Sequence, residues 1–96
     1  MHYLITIFSD GIVEVLVMKK MDVELVYLYR RCLTNITNKN LLLKGIIFEW
    51  QDTYNELIFI EVKDLIEKFK FLEDTDLAVE YEELKSYISH NYLVRL

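Results

Sequence analysis

The chain has 96 residues, of which 53% are hydrophobic, with one cysteine, no proline and a formal net charge of −5. This size and composition predict one folded domain over residues 1–96, and they exclude a disordered chain, an internal disulfide and a cysteine-cluster zinc site. The lone cysteine and the lack of an apolar run long enough to span a bilayer predict a soluble, cytoplasmic protein that binds no membrane.

The charge is uneven along the chain. Residues 1–48 carry six Lys/Arg against four Asp/Glu, whereas residues 49–96 carry five against twelve. Because affinity for nucleic acids comes mainly from Lys and Arg, the acidic second half predicts no direct binding of nucleic acid. A basic surface on another protein is the partner that this charge favours.

The first predicted element is a β-hairpin over residues 3–19 that turns at Asp10-Gly11. An Asp-Gly pair between alternating apolar runs favours a two-residue hairpin loop, in which Ser9 pairs with Ile12. That register gives the hairpin two apolar faces. One carries Leu4, Thr6, Phe8, Val13, Val15 and Val17, and the other carries Tyr3, Ile5, Ile7, Ile12, Glu14, Leu16 and Met18. A sheet apolar on both faces is central in a covered sheet or is covered by a second subunit.

A second subunit is the favoured cover, because the predicted helices can most simply cover one face of the sheet. The sequence therefore predicts a homodimer with its interface at Val13, Val15, Leu16 and Val17. The alternative is that helices lie on both faces and bury the hairpin within a monomer.

Helical periodicity predicts a helix over Val23–Asn35 with Asp22 as its N-cap, followed by a polar loop to Asn40. Two further strands, Leu41–Trp50 and Leu57–Val62, are predicted to form a second hairpin. Helices over Asp64–Leu72, with Asp64 capping its start, and Leu77–His90 complete the chain before an apolar tail. The fold class is α+β, an antiparallel sheet of about four strands in the order β-β-α-β-β-α-α with helices mainly on one face.

Residues for catalysis are few. Ser86, Ser89 and His90 are close in sequence, but neighbours on one helix do not place a base against a nucleophile, so we predict no enzyme and no catalytic residue. Asp74-Thr75-Asp76 matches the start of a calcium-binding loop, yet the glycine of the turn is missing and the twelfth position is Lys85. We therefore predict no metal and no cofactor.

The acidic run from Glu73 to Glu83 is the most specific feature of the sequence. Its like charges recur at helical spacing with no Lys or Arg between Lys70 and Lys85, which is unfavourable for an isolated helix. The alternatives are a solvated face and a surface for a basic partner. The predicted partner-binding residues are Glu73, Asp74, Asp76, Glu80, Glu83 and Tyr87.

The sequence thus predicts a small acidic protein-binding module without enzymatic activity. Its class would be an inhibitor or antagonist, such as a viral, phage or mobile-element accessory protein or a DNA mimic, acting through the C-terminal acidic helix. The alternative function is a structural or self-assembling subunit that acts through its apolar hairpin.

Overall fold

The computed structural model describes residues 1–8, 10–36 and 56–92, and their contacts divide into two compact units. The sheet unit contains the strands β1 (His2–Ile7), β2 (Ile12–Met18) and β3 (Glu56–Glu61). The helical unit contains α1 (Val23–Ile36), α2 (Asp64–Lys68), a 3₁₀ helix (Lys70–Asp74) and α3 (Ala78–Asn91). The α+β class is confirmed. A single domain, and helices on one face of the sheet, stay predictions.

The predicted hairpin is present, but its register was wrong by one residue. Ile7 pairs with Val13 and Ile5 with Val15. The turn is closed by hydrogen bonds from Phe8 N–H to Ile12 C=O (2.9 Å) and from Gly11 N–H to Phe8 C=O (3.1 Å). Three residues therefore separate the paired ends, a loop length that takes one residue in the left-handed region, and Gly11 has a φ of 89°.

The corrected register exchanges the partners on each face of the hairpin. Directly paired residues share a face, so Tyr3, Ile5 and Ile7 lie with Val13, Val15 and Val17. The fully buried Val13 and Val15 form a cluster with Ile5 on this face. The opposite face carries Leu4, Thr6, Glu14, Leu16 and Met18, all buried.

The sheet has three strands in the described part of the chain, in the order β1-β2-β3. β3 pairs with β2 in parallel, with Val15 beside Phe59, so the prediction of an antiparallel sheet was wrong at this strand. A parallel pair cannot be joined by a tight turn, and α1 lies between β2 and β3 along the chain. The predicted strand Leu41–Trp50 and its hairpin loop lie outside the described residues.

The helical unit follows the predicted periodicity closely. α1 begins at Val23, because the Asp22 carboxylate accepts a hydrogen bond from Leu25 N–H (3.0 Å) as the predicted N-cap. It continues to Ile36, one residue past the predicted end. Its buried face carries Leu25, Leu28, Tyr29, Cys32 and Leu33.

The predicted helix over Asp64–Leu72 is instead a short α-helix followed by a 3₁₀ helix. Asp64 is the first residue of α2, so its predicted role as the cap before the helix was wrong. Leu65, Phe69 and Leu72 are its buried residues, and the Phe69 ring meets Tyr29 edge to face with centroids 5.9 Å apart. This contact joins the segment to α1.

Thr75 lies between the 3₁₀ helix and α3, which begins at Ala78. The Thr75 hydroxyl donates to Leu72 C=O (2.8 Å) and accepts from Leu77 N–H (3.1 Å), which satisfies backbone groups just before the helix. Tyr81, Leu84 and Ile88 form the buried stripe of α3. Of the apolar tail after α3, the structure describes Tyr92, and residues 93–96 lie outside the described part.

Candidate protein-binding groove

The predicted partner-binding residues occupy three parts of the helical unit. Glu73 and Asp74 belong to the 3₁₀ helix, Asp76 to the link before α3, and Glu80, Glu83 and Tyr87 to α3 itself. The first three residues are exposed. Glu80 and Glu83 contact Arg31 of α1. Tyr87 contacts Asp22, the N-cap of α1.

Arg31 of α1 pairs with two of the predicted acids. Its guanidinium nitrogens lie 2.7 Å from Glu83 Oε2 and 3.4 Å from Glu80 Oε1. The other Glu80 oxygen, Oε2, is buried with no hydrogen-bond partner among the described residues. Arg31 therefore supplies a positive charge to the acidic run, which the local sequence did not show. Because Glu80 is paired with Arg31 and its Oε2 is buried, it is a poor contact for an outside partner.

Tyr87 is tied to the start of α1. Its hydroxyl donates to both carboxylate oxygens of Asp22 (2.7 and 2.9 Å), and the Tyr92 hydroxyl donates to Asp22 Oδ2 (2.6 Å). The hydrogen bond to Asp22, with burial as a lesser cause, raises the pKa of Tyr87 to about 12. Burial, followed by its hydrogen bond to Asp22, raises the pKa of Tyr92. One buried carboxylate thus caps α1 and holds α3 and the residue after it.

The end of α3 uses its polar side chains on its own backbone. The Ser89 hydroxyl donates to Lys85 C=O (2.8 Å), and the Asn91 amide donates to Tyr87 C=O (2.9 Å). His90 Nδ1 lies 2.7 Å from Ser86 C=O. These contacts are the carbonyl bonds that we expect at a helix C-terminus.

An open groove of about 880 Å³ runs between α1 and α3. Its α1 side is formed by Glu24 and Leu28, one helical turn apart. Its α3 side is a stripe along almost the whole helix: Ala78, Val79, Glu82, Glu83, Ser86, Tyr87, His90 and Asn91. This stripe is distinct from the buried one, so α3 packs with one face and leaves another open.

The groove combines apolar surface with negative charge. Most of its accessible lining is apolar, and Val79 is 64% exposed at its rim. Glu24 stands on one wall and Glu82 and Glu83 on the other, while no Lys or Arg is among the lining residues in the described chain. Sequence reasoning missed Glu24, Leu28 and Val79, although the i, i+4 spacing of the first two and an apolar residue within an acidic run were visible signs.

The residues predicted at a dimer interface lie elsewhere. Val13 and Val15 are 0% exposed and Leu16 is 1% exposed in a single copy of the chain, and Val17 is half-buried. Three of the four therefore offer no surface to a second copy. The homodimer stays a prediction. The apolar hairpin no longer supports it, because these three residues are already buried within one copy of the chain.

Cys32 is completely buried in the helical unit. Burial, with a smaller contribution from Glu80, raises the pKa of its thiol to about 11, so the thiolate is scarce at neutral pH. Within the described residues, no three His, Cys, Asp or Glu side chains are grouped to hold a metal ion. No helix in that part of the chain is long and apolar enough to cross a membrane.

These features define an α+β chain whose helical unit carries an acidic, partly apolar groove. Comparison with protein-family models, curated proteins and solved structures found no similar protein. The function must therefore be argued from the groove and the charges around it.

Proposed function

We propose that this chain is a protein-binding module without enzymatic activity, of the inhibitor or antagonist type, that engages a basic surface of another protein through its acidic helical unit. The observation that carries the proposal is the run from Glu73 to Glu83, which holds six acids and no Lys or Arg and ends in the α3 wall of the groove. Charge of one sign on an exposed face speeds encounter with an oppositely charged partner and restricts its choice.

The contacts of Arg31 refine which acids serve this purpose. Glu80 and Glu83 are engaged by Arg31, whereas Asp74, Asp76 and Glu82 are exposed. We assign the main contacts with a partner to these three exposed acids, with Glu73 and Glu83 beside them. The lone cysteine favours the cytoplasm as the place of action. An acidic chain without proline, rich in Tyr, Ile, Asn and Lys, favours a viral, phage or mobile-element accessory protein.

The test compares two charge reversals with the same net charge. Asp76→Lys with Glu82→Lys removes charge from the acidic run, and Glu56→Lys with Glu67→Lys removes it from exposed positions outside the run. Each variant and the wild type are used as bait in the native host lysate, with quantitative mass spectrometry at low and high salt.

We expect basic proteins to be enriched on the wild type and on the second variant, and to be lost from the first variant and at high salt. Circular dichroism must show that both variants are folded. Equal enrichment of the same proteins on all three baits would reject the proposal.

A further inference from the structure

We propose that the groove between α1 and α3 receives a cationic amphipathic α-helix of the partner, with an apolar side chain packed against Val79. The inference rests on the proposed function, because it names the element of the basic partner that this surface recognises. It adds an apolar anchor and a defined secondary structure to what charge alone implies.

The α3 wall of the groove is as long as a helix of about four turns. Its α3 wall runs from Ala78 to Asn91, which at about 1.5 Å per residue is roughly 20 Å. The walls are two packed helices, and a third helix fills such a groove by placing its own ridge of side chains between them. Helix-in-groove recognition of this kind reads apolar anchors at i, i+3 or i+4, and i+7.

The charges that line the groove determine whether a partner helix must be basic or acidic. Glu24 and Glu82 are exposed and lie on opposite walls of a groove whose lining is mostly apolar. A helix that places an apolar stripe on this lining therefore brings its two flanking rows of side chains near a carboxylate on each side. Lys or Arg in both rows complements the groove, whereas Asp or Glu would be repelled.

Other classes of ligand fit the groove less well. An extended peptide that adds to a sheet needs open main-chain donors and acceptors, but the backbones of α1 and α3 form hydrogen bonds within their own helices. Nucleic acids and anionic lipid surfaces carry the same sign of charge as Glu24 and Glu82. A basic amphipathic helix satisfies both the apolar lining and the charge.

The experiment uses a fluorescent 14-residue peptide with leucines at helical spacing and lysines in the flanking rows. Controls are a scrambled peptide of the same composition and a peptide with glutamate in place of lysine. Fluorescence anisotropy gives affinities for the wild type, for Glu24→Lys with Glu82→Lys, for Val79→Asn, and for the matched control Glu56→Lys with Glu67→Lys. Amide shifts in an NMR titration identify the surface that binds.

We expect the amphipathic peptide to bind the wild type and the matched control at least about tenfold more tightly than the scrambled peptide. The Glu24/Glu82 variant should lose about tenfold or more, and Val79→Asn should weaken the amphipathic peptide but leave the scrambled one unchanged. Amide shifts should fall on residues 24–28 and 78–91.

The outcomes separate this inference from the proposed function. Equal binding of the scrambled and amphipathic peptides, or no binding of either, overturns the helix-in-groove inference, while charge-dependent capture of basic host proteins still supports the proposed function. Amide shifts confined to the sheet unit also overturn it. Binding of the glutamate peptide as tightly as the lysine peptide contradicts both proposals.

Discussion

The sheet unit and the helical unit differ in how far their apolar residues are buried. In β2, which lies between β1 and β3, both faces carry apolar residues, and five of the seven residues of the strand are buried. In α3, one stripe is buried and a second stripe, with the exposed Val79 among acids, lines an open groove. A strand that is apolar on both faces thus indicates a central position in a sheet. The open stripe of α3, with Val79 at its rim, is the surface that we propose for a partner.

The largest expected effect is a charge placed in β2. Val15→Asp and Leu16→Asp each bury a carboxylate, on opposite faces, and should lower the free energy of unfolding by about 4 kcal/mol or more, which is enough to unfold a small domain. Val79→Asp, at an exposed position of α3, should change it by less than about 0.5 kcal/mol. Urea denaturation followed by circular dichroism measures all three.

A folded monomer obtained from one of the β2 variants would contradict this comparison. If the wild type sediments as a dimer under the same conditions, such a variant would show that one face of the hairpin is covered by a second copy, and the predicted dimer would be supported. Sedimentation at tens of micromolar protein identifies the species.

The next effect concerns Asp22, whose carboxylate accepts from one backbone amide and two tyrosine hydroxyls. Asp22→Ala removes the cap of α1 and leaves the hydroxyls of Tyr87 and Tyr92 without this acceptor, so we expect a loss of roughly 2–4 kcal/mol in unfolding free energy. The matched variant Tyr87→Phe should cost about 1 kcal/mol. The double variant Asp22→Ala with Tyr87→Phe should lose less unfolding free energy than the sum of the two single losses, because both substitutions remove the same hydrogen bond. Strict additivity would show that the contact contributes nothing to stability.

The last expected effect is a loss of stability in alkali. The folded protein holds the protons of Cys32 and Tyr87 more tightly than the unfolded chain, with pKa values raised to about 11 and about 12 from ordinary values of 9.0 and 10.0. Deprotonation therefore favours the unfolded state. The stabilisation is complete below the unfolded pKa values and is lost as the pH rises through the folded ones.

Urea midpoints measured from about pH 8 to about pH 11 should fall with rising pH. Cys32→Ala and Tyr87→Phe should each make the decline shallower, although Cys32→Ala also lowers stability at neutral pH by about 1 kcal/mol through a small cavity. A wild-type midpoint that stays constant over this interval would contradict the assignment.

Features set by residues close in sequence could be predicted. The hairpin turn at Asp10-Gly11, the cap at Asp22 and the stripes of α1 and α3 all depend on neighbours within a few positions. The hairpin register could not be predicted, because two-residue and three-residue loops around Gly11 both suit the sequence, and a change of one residue exchanges the partners on each face.

The candidate site was predictable only in its charge. Arg31 reaches Glu80 and Glu83 across 49 and 52 positions of the chain, and Tyr87 reaches Asp22 across 65. No local spacing reveals such contacts. The groove was missed for the same reason, since it exists only where α1 packs beside α3.

The hydrogen bonds of Asp22 also bear on the order of folding. The hairpin of β1 and β2 closes a short loop and can form as soon as its residues are available. The helical unit is interrupted in sequence, and its α1 cap is complete only when Tyr87 and Tyr92 arrive from 65 and 70 positions away. Contacts of such long range slow folding, because chain entropy must be lost before they form. We therefore expect α1 to keep part of its apolar face uncovered during synthesis until α3 is made, and the groove between them to be completed only then.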